Sequence, residues 1–248
     1  MARCCTGFQT SRCALAAVLF VFAALTGRAE SQPSTVGNLL VFYTTDSNGA
    51  RSLNVVSMED GSALEIIGRA SIASHNALHA QSTFENQIIL LLWDQVEVYS
   101  LAEPSAPKRV ATYQLRNQRA LTCGNPRIER TADRRFLMIS PVGAAELIVD
   151  PEGKRWSLVD IEMTPDLQQK AQASSPEVES ERLAMVNDRD SGRPRVLKES
   201  AKFRYEKLWK RRTKPGLIIH SEYLRKVDRA RGETVAELLL GEEQETID

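Results

Sequence analysis

IILLLWDQVEVYSLAEPSAPKRVATYQL, residues 88–115 of the chain, contains three strand signals in succession. Ile88 to Trp93 is a continuous apolar run, and Val96 to Leu101 alternates apolar with polar side chains. After a turn at Pro104 to Pro107, the alternation returns from Arg109 to Leu115. Short runs of this kind, separated by turn residues, are typical of antiparallel strands. The stretch therefore predicts a three-stranded meander sheet.

The same order of signals occurs three more times along the chain. Upstream, the apolar run Leu39 to Phe42 is followed by the turn-rich Asp46 to Gly49 and by a strand from Leu53 to Ser57. Asp60 and Gly61 predict a primed tight turn, and Ala63 to Ile67 completes this set. The two downstream sets comprise Phe136 to Ile139, Ala145 to Val149 and Trp156 to Ile161, and then Leu217 to His220, Tyr223 to Val227, the turn Asp228 to Gly232, and Thr234 to Leu240.

The spacing of the sets indicates a repeat architecture. Comparable positions such as Val55, Val98 and Ile148 lie 43 and 50 residues apart, which is the range of propeller blades. One small meander cannot bury both of its faces, so neighbouring units must stack to form the core. We therefore expect an all-β fold, a β-propeller-like array of about four antiparallel meander sheets, either complete or incomplete. The alternative is one open curved β-sheet or half-barrel.

A polar insert interrupts the array after the third set. Thr164 to Asp166 and Ser175 to Glu177 both have the composition of a helix N-terminus. The predicted organisation is a signal peptide over 1–29, three blade-like units over 36–162, a polar helical or disordered insert over 163–194, a fourth unit with a basic stretch over 195–240, and an acidic tail over 241–248.

The amino terminus has the composition of a cleavable signal peptide. It carries Arg3 and Arg12 and no acid, and then runs without charge from Cys13 to Leu25. This apolar run is shorter than the roughly 20 residues that a spanning helix needs. Small residues at Gly27 and Ala29 suit cleavage before Glu30. We therefore expect a secreted or periplasmic protein with no transmembrane segment after cleavage.

Charge and cysteine content limit the function classes. The chain has 32 basic and 32 acidic residues, and without the three arginines of the signal the balance is 29 against 32. This balance disfavours a dedicated nucleic-acid or polyanion binder. Cys123 is the only cysteine beyond residue 29, so no internal disulfide is expected and stability must come from the buried core.

Two windows resemble known propeller families. VEVYSLAEPSAPK, from Val96 to Lys108, resembles the blade motif of secreted LVIVP-type β-propeller repeats, and LRKVDRARGETV, from Leu224 to Val235, resembles the hairpin of quinoprotein-like propellers. The resemblance implies a binding scaffold and assigns no catalytic residue. Propellers of these kinds close rings of about six to eight blades, whereas this chain offers about four units.

A basic and aromatic stretch is the candidate ligand-binding segment. Cations beside aromatic rings can hold a phosphate, an acidic glycan or a lipid headgroup. The same pattern is typical of an edge strand whose lysines discourage aggregation between sheets. The candidate residues are Lys202, Arg204, Tyr205, Lys207, Trp209, Lys210, Arg211, Arg212 and Lys214.

Histidine and cysteine offer weaker candidates. His75 and His79 would share one side of a helical turn and could contribute to a metal site, although no third ligand is evident. The favoured interpretation of the pair is an ordinary polar connecting loop. Cys123 could be a nucleophile if a base approached it, and a lone cysteine is otherwise a buried, inert residue.

Three functions are consistent with these features. The first is an exported, non-catalytic protein-interaction module whose partner is another secreted or envelope protein. The second is a binder of an acidic glycan or lipid headgroup through the basic stretch. The third is a secreted hydrolase or redox propeller. The sequence contains no nucleophile elbow, HExxH motif, P-loop or dinucleotide fingerprint, so we predict no catalytic residue and no cofactor.

Overall fold

The computed structural model describes residues 34–45, 50–73, 78–116, 121, 126–150, 152, 155–172 and 192–246. Within these residues it contains sixteen strands and one helix. The strands form four separate antiparallel sheets of four strands each. The predicted all-β, propeller-like array is therefore confirmed. A single curved sheet, the alternative, is excluded because no strand is shared between sheets.

Each sheet is a meander whose spatial order follows the chain. The first sheet contains β1 (Ser34–Val36), β2 (Leu39–Thr45), β3 (Arg51–Ser57) and β4 (Ile66–Ser71). The second contains β5 (Leu78–Phe84), β6 (Gln87–Leu92), β7 (Gln95–Ser100) and β8 (Lys108–Gln114). The third contains β9 (Arg127–Ala132), β10 (Arg135–Ser140), β11 (Gly143–Val149) and β12 (Trp156–Ile161), and is followed by helix α1 (Pro165–Gln172). The fourth contains β13 (Arg195–Glu199), β14 (Phe203–Lys214), β15 (Leu217–Asp228) and β16 (Thr234–Thr246).

One backbone hydrogen bond recurs in all four sheets and defines the repeat. In each, the residue just before the second strand accepts a bond from an amide at the end of the third strand. The acceptors are the carbonyls of Asn38, Asn86, Arg134 and Lys202, and their donors are the amides of Met58, Leu101, Val149 and Arg229 at 2.7, 2.7, 2.9 and 3.0 Å. The first three acceptors are spaced by 48 residues and the fourth by 68. The repeat is therefore regular, and the added length lies in the insert.

The first three sheets each have one strand more than the three that the sequence predicted. The additional strands are β1, β5 and β9, which begin these sheets and lie at their edges. In the fourth sheet two predicted strands form the single strand β15, the basic stretch forms β14, and the unpredicted strand is the edge strand β13. Successive first strands β1, β5 and β9 lie next to one another, as the inner strands of propeller blades do. β5 and β9 are rich in polar residues and only partly buried, which explains why apolar periodicity did not reveal them.

Three predicted boundaries differ from the structure. β4 begins at Ile66 rather than Ala63, and neither Asp60 nor Gly61 takes the positive φ of a primed turn. The loop before β4 does not form the predicted primed turn, and it binds the fourth sheet as described below. Leu217 to Val227 forms one strand, because β15 pairs continuously with β14. Residues 241–246, expected to start an acidic tail, continue β16 along β15.

The sheets stack in an order that differs from the chain order. Buried side chains join the second sheet to the first on one face and to the third on the other. The opposite face of the first sheet packs against the fourth sheet through Leu40, Phe42, Val56, Met58, Phe203, Tyr205, Leu224 and Leu240. Among the described residues, no buried cluster joins the third and fourth sheets. The spatial order is therefore fourth, first, second, third.

Stacking explains the continuous apolar runs. In β6, Ile88 and Leu90 face the first sheet, whereas Ile89 and Leu91 face the third. A strand that is covered on both faces needs apolar residues at every position, while a half-exposed strand alternates. The run at Ile88 to Trp93 was therefore a signal of an interior sheet.

The outer face of the third sheet is covered by helix α1. Leu167 and Ala171 pack on Leu137, Ile139 and Ala144, and the Thr164 hydroxyl accepts a hydrogen bond from the Leu167 amide at 3.3 Å. This confirms the helix start predicted at Thr164 to Asp166. The second predicted start, at Ser175, lies outside the described residues. Over the described ranges, no helix has the length and apolarity needed to cross a membrane.

Gly68 allows the first and second sheets to approach at their outer edges. It lies in β4 opposite the turn between β7 and β8, and a Cβ atom at this position would lie 1.9 Å from the Pro104 carbonyl oxygen and 2.9 Å from Cδ of Pro107. Backbone and proline ring atoms cannot yield as a flexible side chain would. The contact therefore requires glycine.

We predict that Gly68→Ala destabilises the protein by about 1–3 kcal/mol, because overpacking forces the two sheets apart. The matched control is Gly61→Ala, since a Cβ at Gly61 meets no atom within 4 Å and its φ is not positive. Urea unfolding followed by tryptophan fluorescence measures both free energies. Equal effects of the two substitutions would show that the Pro104 contact does not limit packing.

Candidate binding surfaces of the fourth sheet

The predicted basic and aromatic stretch lies along β14, and strand geometry divides it between two faces. Phe203 and Tyr205 pack toward the first sheet, and the two-residue period of a strand places Lys207, Trp209 and Arg211 on the same face. Arg204, Lys210, Arg212 and Lys214 lie on the outer face by the same alternation, and Lys202 precedes the strand. The stretch therefore does not form one continuous site.

β14 is an interior strand in its first half only. Between Arg204 and Lys207 it pairs with β13 on one side and β15 on the other. The expectation of an edge strand is therefore wrong for this half. β13 ends its pairing at Lys207, whereas β15 continues to Lys214. Within the described ranges, the second half of β14 has a strand partner on one side only.

The inner face holds the loop between β3 and β4 of the first sheet. The buried ammonium of Lys226 donates to the carbonyls of Asp60 at 2.9 Å and Ser62 at 3.0 Å, and lies 4.3 Å from the centre of the Phe203 ring. The Tyr205 hydroxyl donates to the Glu59 carbonyl at 2.9 Å. Burial lowers the pKa of Lys226, while the Asp60 carboxylate opposes this shift. These groups are the polar anchor between the two sheets.

We predict that Lys226→Met lowers the free energy of unfolding by about 1–3 kcal/mol, because the buried loop carbonyls lose their donor. Lys202→Met is the matched control, since Lys202 is exposed and its ammonium lies 5.1 Å from the Phe203 ring. We expect the control to change stability by about 0.5 kcal/mol or less. Denaturant titrations of both variants measure these free energies. Equal effects of the two substitutions would show that Lys226 does not anchor the loop.

Tyr205 predicts an alkaline loss of stability. Burial, followed by the charges of Asp60 and Glu59, raises the pKa of Tyr205 to about 12, above the value near 10 of an unfolded tyrosine. The stabilising contribution of the protonated hydroxyl is therefore fully present below pH 10 and is lost between about pH 10 and 12.

We predict that the stability difference between the unsubstituted protein and Tyr205→Phe, about 1 kcal/mol at pH 8, decreases as pH rises from about 10 to 12. Urea midpoints of both proteins across this range measure the difference. A difference that does not change with pH would show that the Tyr205 hydroxyl ionises equally in the folded and unfolded chains.

The outer face of the fourth sheet is crossed by ion pairs. The carboxylate of Glu206 is 1% exposed and lies between the guanidinium groups of Arg204 and Arg225. The Lys210 ammonium lies 2.6 Å from the Glu237 carboxylate. On the inner face, the Lys207 ammonium likewise lies 2.5 Å from the Glu222 carboxylate. The sheet itself therefore neutralises several cations of the predicted binding stretch.

An apolar row also crosses this outer face. Leu208, Tyr223 and Leu239 are in register on β14, β15 and β16. Leu208 is buried, whereas Leu239 is 47% exposed. Val196 and Val235, on the two edge strands, are also exposed. Apolar side chains framed by ion pairs make this face suitable for contact with another protein.

The hairpin joining β14 and β15 extends this sheet. β14, β15 and β16 have 12, 12 and 13 residues, whereas the strands of the other three sheets have at most 7. Residues 210–214 are all exposed. Arg211 and Lys214 form no ion pair with another described residue. Lys202, at the start of the predicted stretch, likewise forms no ion pair with another described residue, so three cations of the stretch have no described carboxylate partner.

Of the predicted histidine pair, His79 lies in strand β5 at a register shift, and His75 lies outside the described residues. Cys123 also lies outside the described residues. The His79 ring lies 5.5 Å from the Trp93 ring, and burial, then the charge of Arg51, lowers its pKa. In the described part of the chain, no three potential ligands come together as a metal site.

Sequence analysis missed a buried polar network between the first and second sheets. The Glu97 carboxylate is fully buried, and lies 2.5 Å from the Gln95 amide, 2.6 Å from the Tyr99 hydroxyl and 3.2 Å from the Arg109 guanidinium. The Tyr99 hydroxyl also lies 2.9 Å from the Ser71 carbonyl of the first sheet. Burial, followed by Glu97, raises the pKa of Tyr99. The network satisfies a buried charge and reaches solvent at Arg109 and at Gln114, whose amide lies 2.7 Å from the Gln95 amide oxygen.

A shallow cleft lies between the outer strands of the second and third sheets. Its volume is about 460 Å³. The lining residues are Tyr113, Gln114, Arg116, Leu158, Val159 and Asp160. The Tyr113 hydroxyl donates to the Trp156 carbonyl at its base, so the cleft marks the junction of two sheets rather than a constellation of reactive groups.

Comparison with known proteins does not assign the chain to a family. No family model and no curated protein matches the chain. Among solved structures it is similar to a hypothetical selenium-binding protein from Sulfolobus tokodaii, with 10% identity and a TM-score of 0.37. The match covers 84% of this chain and 50% of that chain, so this chain spans about half the length of the matched protein.

Proposed function

We propose that the chain is an exported, non-catalytic protein-interaction module, and that the outer face of its fourth sheet is the contact surface. The partner is another secreted or envelope protein. A rigid stack of sheets presents a flat, extended face, and proteins commonly place binding residues on the surface of such a scaffold.

One observation carries this proposal: the fourth sheet ends the stack of described sheets, and it keeps exposed apolar side chains on its outer strands. Leu208, Ile219 and Val227, nearer the centre of its outer face, are buried. At the other end of the stack, α1 packs on the outer face of the third sheet, where Val159 remains 48% exposed. The fourth sheet presents three such residues, Leu239, Val196 and Val235, at 47%, 48% and 51% exposure. Exposed apolar side chains rimmed by charged groups are characteristic of protein contact surfaces.

Site-specific photo-crosslinking tests the proposal. We expect a photoreactive amino acid at Leu239 to give one discrete adduct with another protein in cells that produce the chain. The same amino acid at Val110 is the matched control, because Val110 lies on edge strand β8 at 46% exposure. We expect no such adduct from position 110. Identical adducts from both positions, or none from Leu239, would contradict the proposal.

A charge substitution provides the quantitative test. We predict that Leu239→Glu reduces recovery of the complex by at least about tenfold, since burying an unpaired carboxylate at an interface is unfavourable. Val110→Glu should leave recovery unchanged. Thermal unfolding of both variants verifies that the fold is retained. A complex that survives Leu239→Glu would exclude this face as the contact surface.

The second candidate, a binder of acidic glycans or lipid headgroups, receives less support. Such a site needs several unpaired cations on one surface. Arg204, Lys210 and Arg212 each have a carboxylate partner within the fourth sheet. Arg211 and Lys214 remain, and their position beside an open strand edge favours another kind of ligand.

A further inference from the structure

We infer that the second half of β14, from Lys210 to Lys214, binds an extended acidic segment of a partner protein by adding it as a further strand to the fourth sheet. This inference rests on the proposed function and specifies a mode of recognition for it. The segment would lie on the side of β14 that β13 leaves at Lys207.

The backbone of residues 210–214 has a described strand partner on one side only. β15 pairs with β14 through Lys214 on one side, and over the described ranges no strand pairs with residues 210–214 on the other. An edge of this kind presents alternating amide and carbonyl groups to solvent. Extended peptides bind such edges through main-chain hydrogen bonds, and side-chain contacts then determine specificity.

The charges beside the open edge select an acidic segment. Four of the five residues in Lys210–Lys214 are basic, and all five are exposed. The Lys210 and Arg212 side chains already contact Glu237 and Glu242, which leaves Arg211 on the inner face and Lys214 on the outer face. Consecutive carboxylates on an added strand point to opposite faces and can reach both cations.

The same hairpin already binds an acidic strand on its other edge. Residues 241–246 of β16, with the sequence GEEQET, pair with residues 217–222 of β15. Arg212 reaches from β14 across β15, and its guanidinium lies 3.1 Å from the Glu242 carboxylate. The Ser221 hydroxyl lies 3.1 Å from the same carboxylate. The hairpin therefore shows, within one chain, how its cations and backbone accommodate an acidic strand.

Fluorescence anisotropy with a labelled TEEVEET peptide tests this inference on the full chain. We expect binding that weakens by at least about tenfold with the glutamine analogue TQQVQQT, and by a similar factor when alternate backbone amides of TEEVEET are methylated. Methylation removes main-chain donors and keeps the charge. Equal binding of the methylated and unmethylated peptides would overturn strand addition, and so would absence of binding by TEEVEET.

Matched variants locate the binding edge. Arg211→Glu combined with Lys214→Glu should weaken TEEVEET binding by at least about tenfold. Lys108→Glu combined with Arg155→Glu changes the net charge equally, at exposed residues outside the fourth sheet, and should weaken binding by about twofold or less. Equal weakening by both pairs would overturn the inference. If the variant with Arg211→Glu and Lys214→Glu does not fold, the variant with Arg211→Gln and Lys214→Gln provides the same test.

Two further measurements separate the competing occupants. Light scattering that shows self-association abolished by the Arg211 and Lys214 substitutions would identify a second copy as the occupant and overturn the inference. If heparin binds through Arg211 and Lys214, and methylation of the peptide backbone does not weaken TEEVEET binding, the edge is a general polyanion site. This result would also overturn the inference. If TEEVEET does not bind but the photo-crosslinked adduct at Leu239 still forms, strand addition is contradicted and the proposed function is not. If the adduct at Leu239 does not form, the proposed function itself is contradicted.

Discussion

The contact between the fourth and first sheets is the constraint on which the architecture depends. The first sheet has apolar residues on both faces, and the second sheet covers only one of them. Burial of the other face requires the chain to return past two sheets after the third. The Lys226 ammonium and the Tyr205 hydroxyl then bind carbonyls of the loop before β4. Apolar area supplies the stabilisation, and these directional bonds fix how the two sheets meet.

This arrangement gives the two ends of the stack different surfaces. Helix α1 covers the third sheet with Leu167 and Ala171. Ion pairs cross the outer face of the fourth sheet, beside the buried side chains of Leu208, Ile219 and Val227. The exposed row at Leu239 and the open edge of β14 are exceptions to this coverage. Both belong to the same sheet, and the proposed contacts therefore concentrate there.

The predicted binding stretch lies in one strand, and several of its charges have partners that the sequence did not reveal. The sequence indicated that basic and aromatic residues concentrate between 202 and 214, and they do lie in one strand. It could not indicate that Lys210 and Arg212 have partners on another strand, because Glu237 and Glu242 lie about 30 residues away in the chain. Lys226 was missed for the same reason, since its acceptors lie in the first sheet.

The sequence by itself determined the all-β class, the four hydrophobic sets and the start of α1, because alternation, apolar runs and helix caps are local consequences of burial and backbone geometry. Only the tertiary structure decided the regular spacing of 48 residues, the polar first strand of each sheet and the stacking order. These features depend on contacts between residues far apart in the chain. Pairing with β15 likewise turned residues 241–246 from an expected tail into a strand.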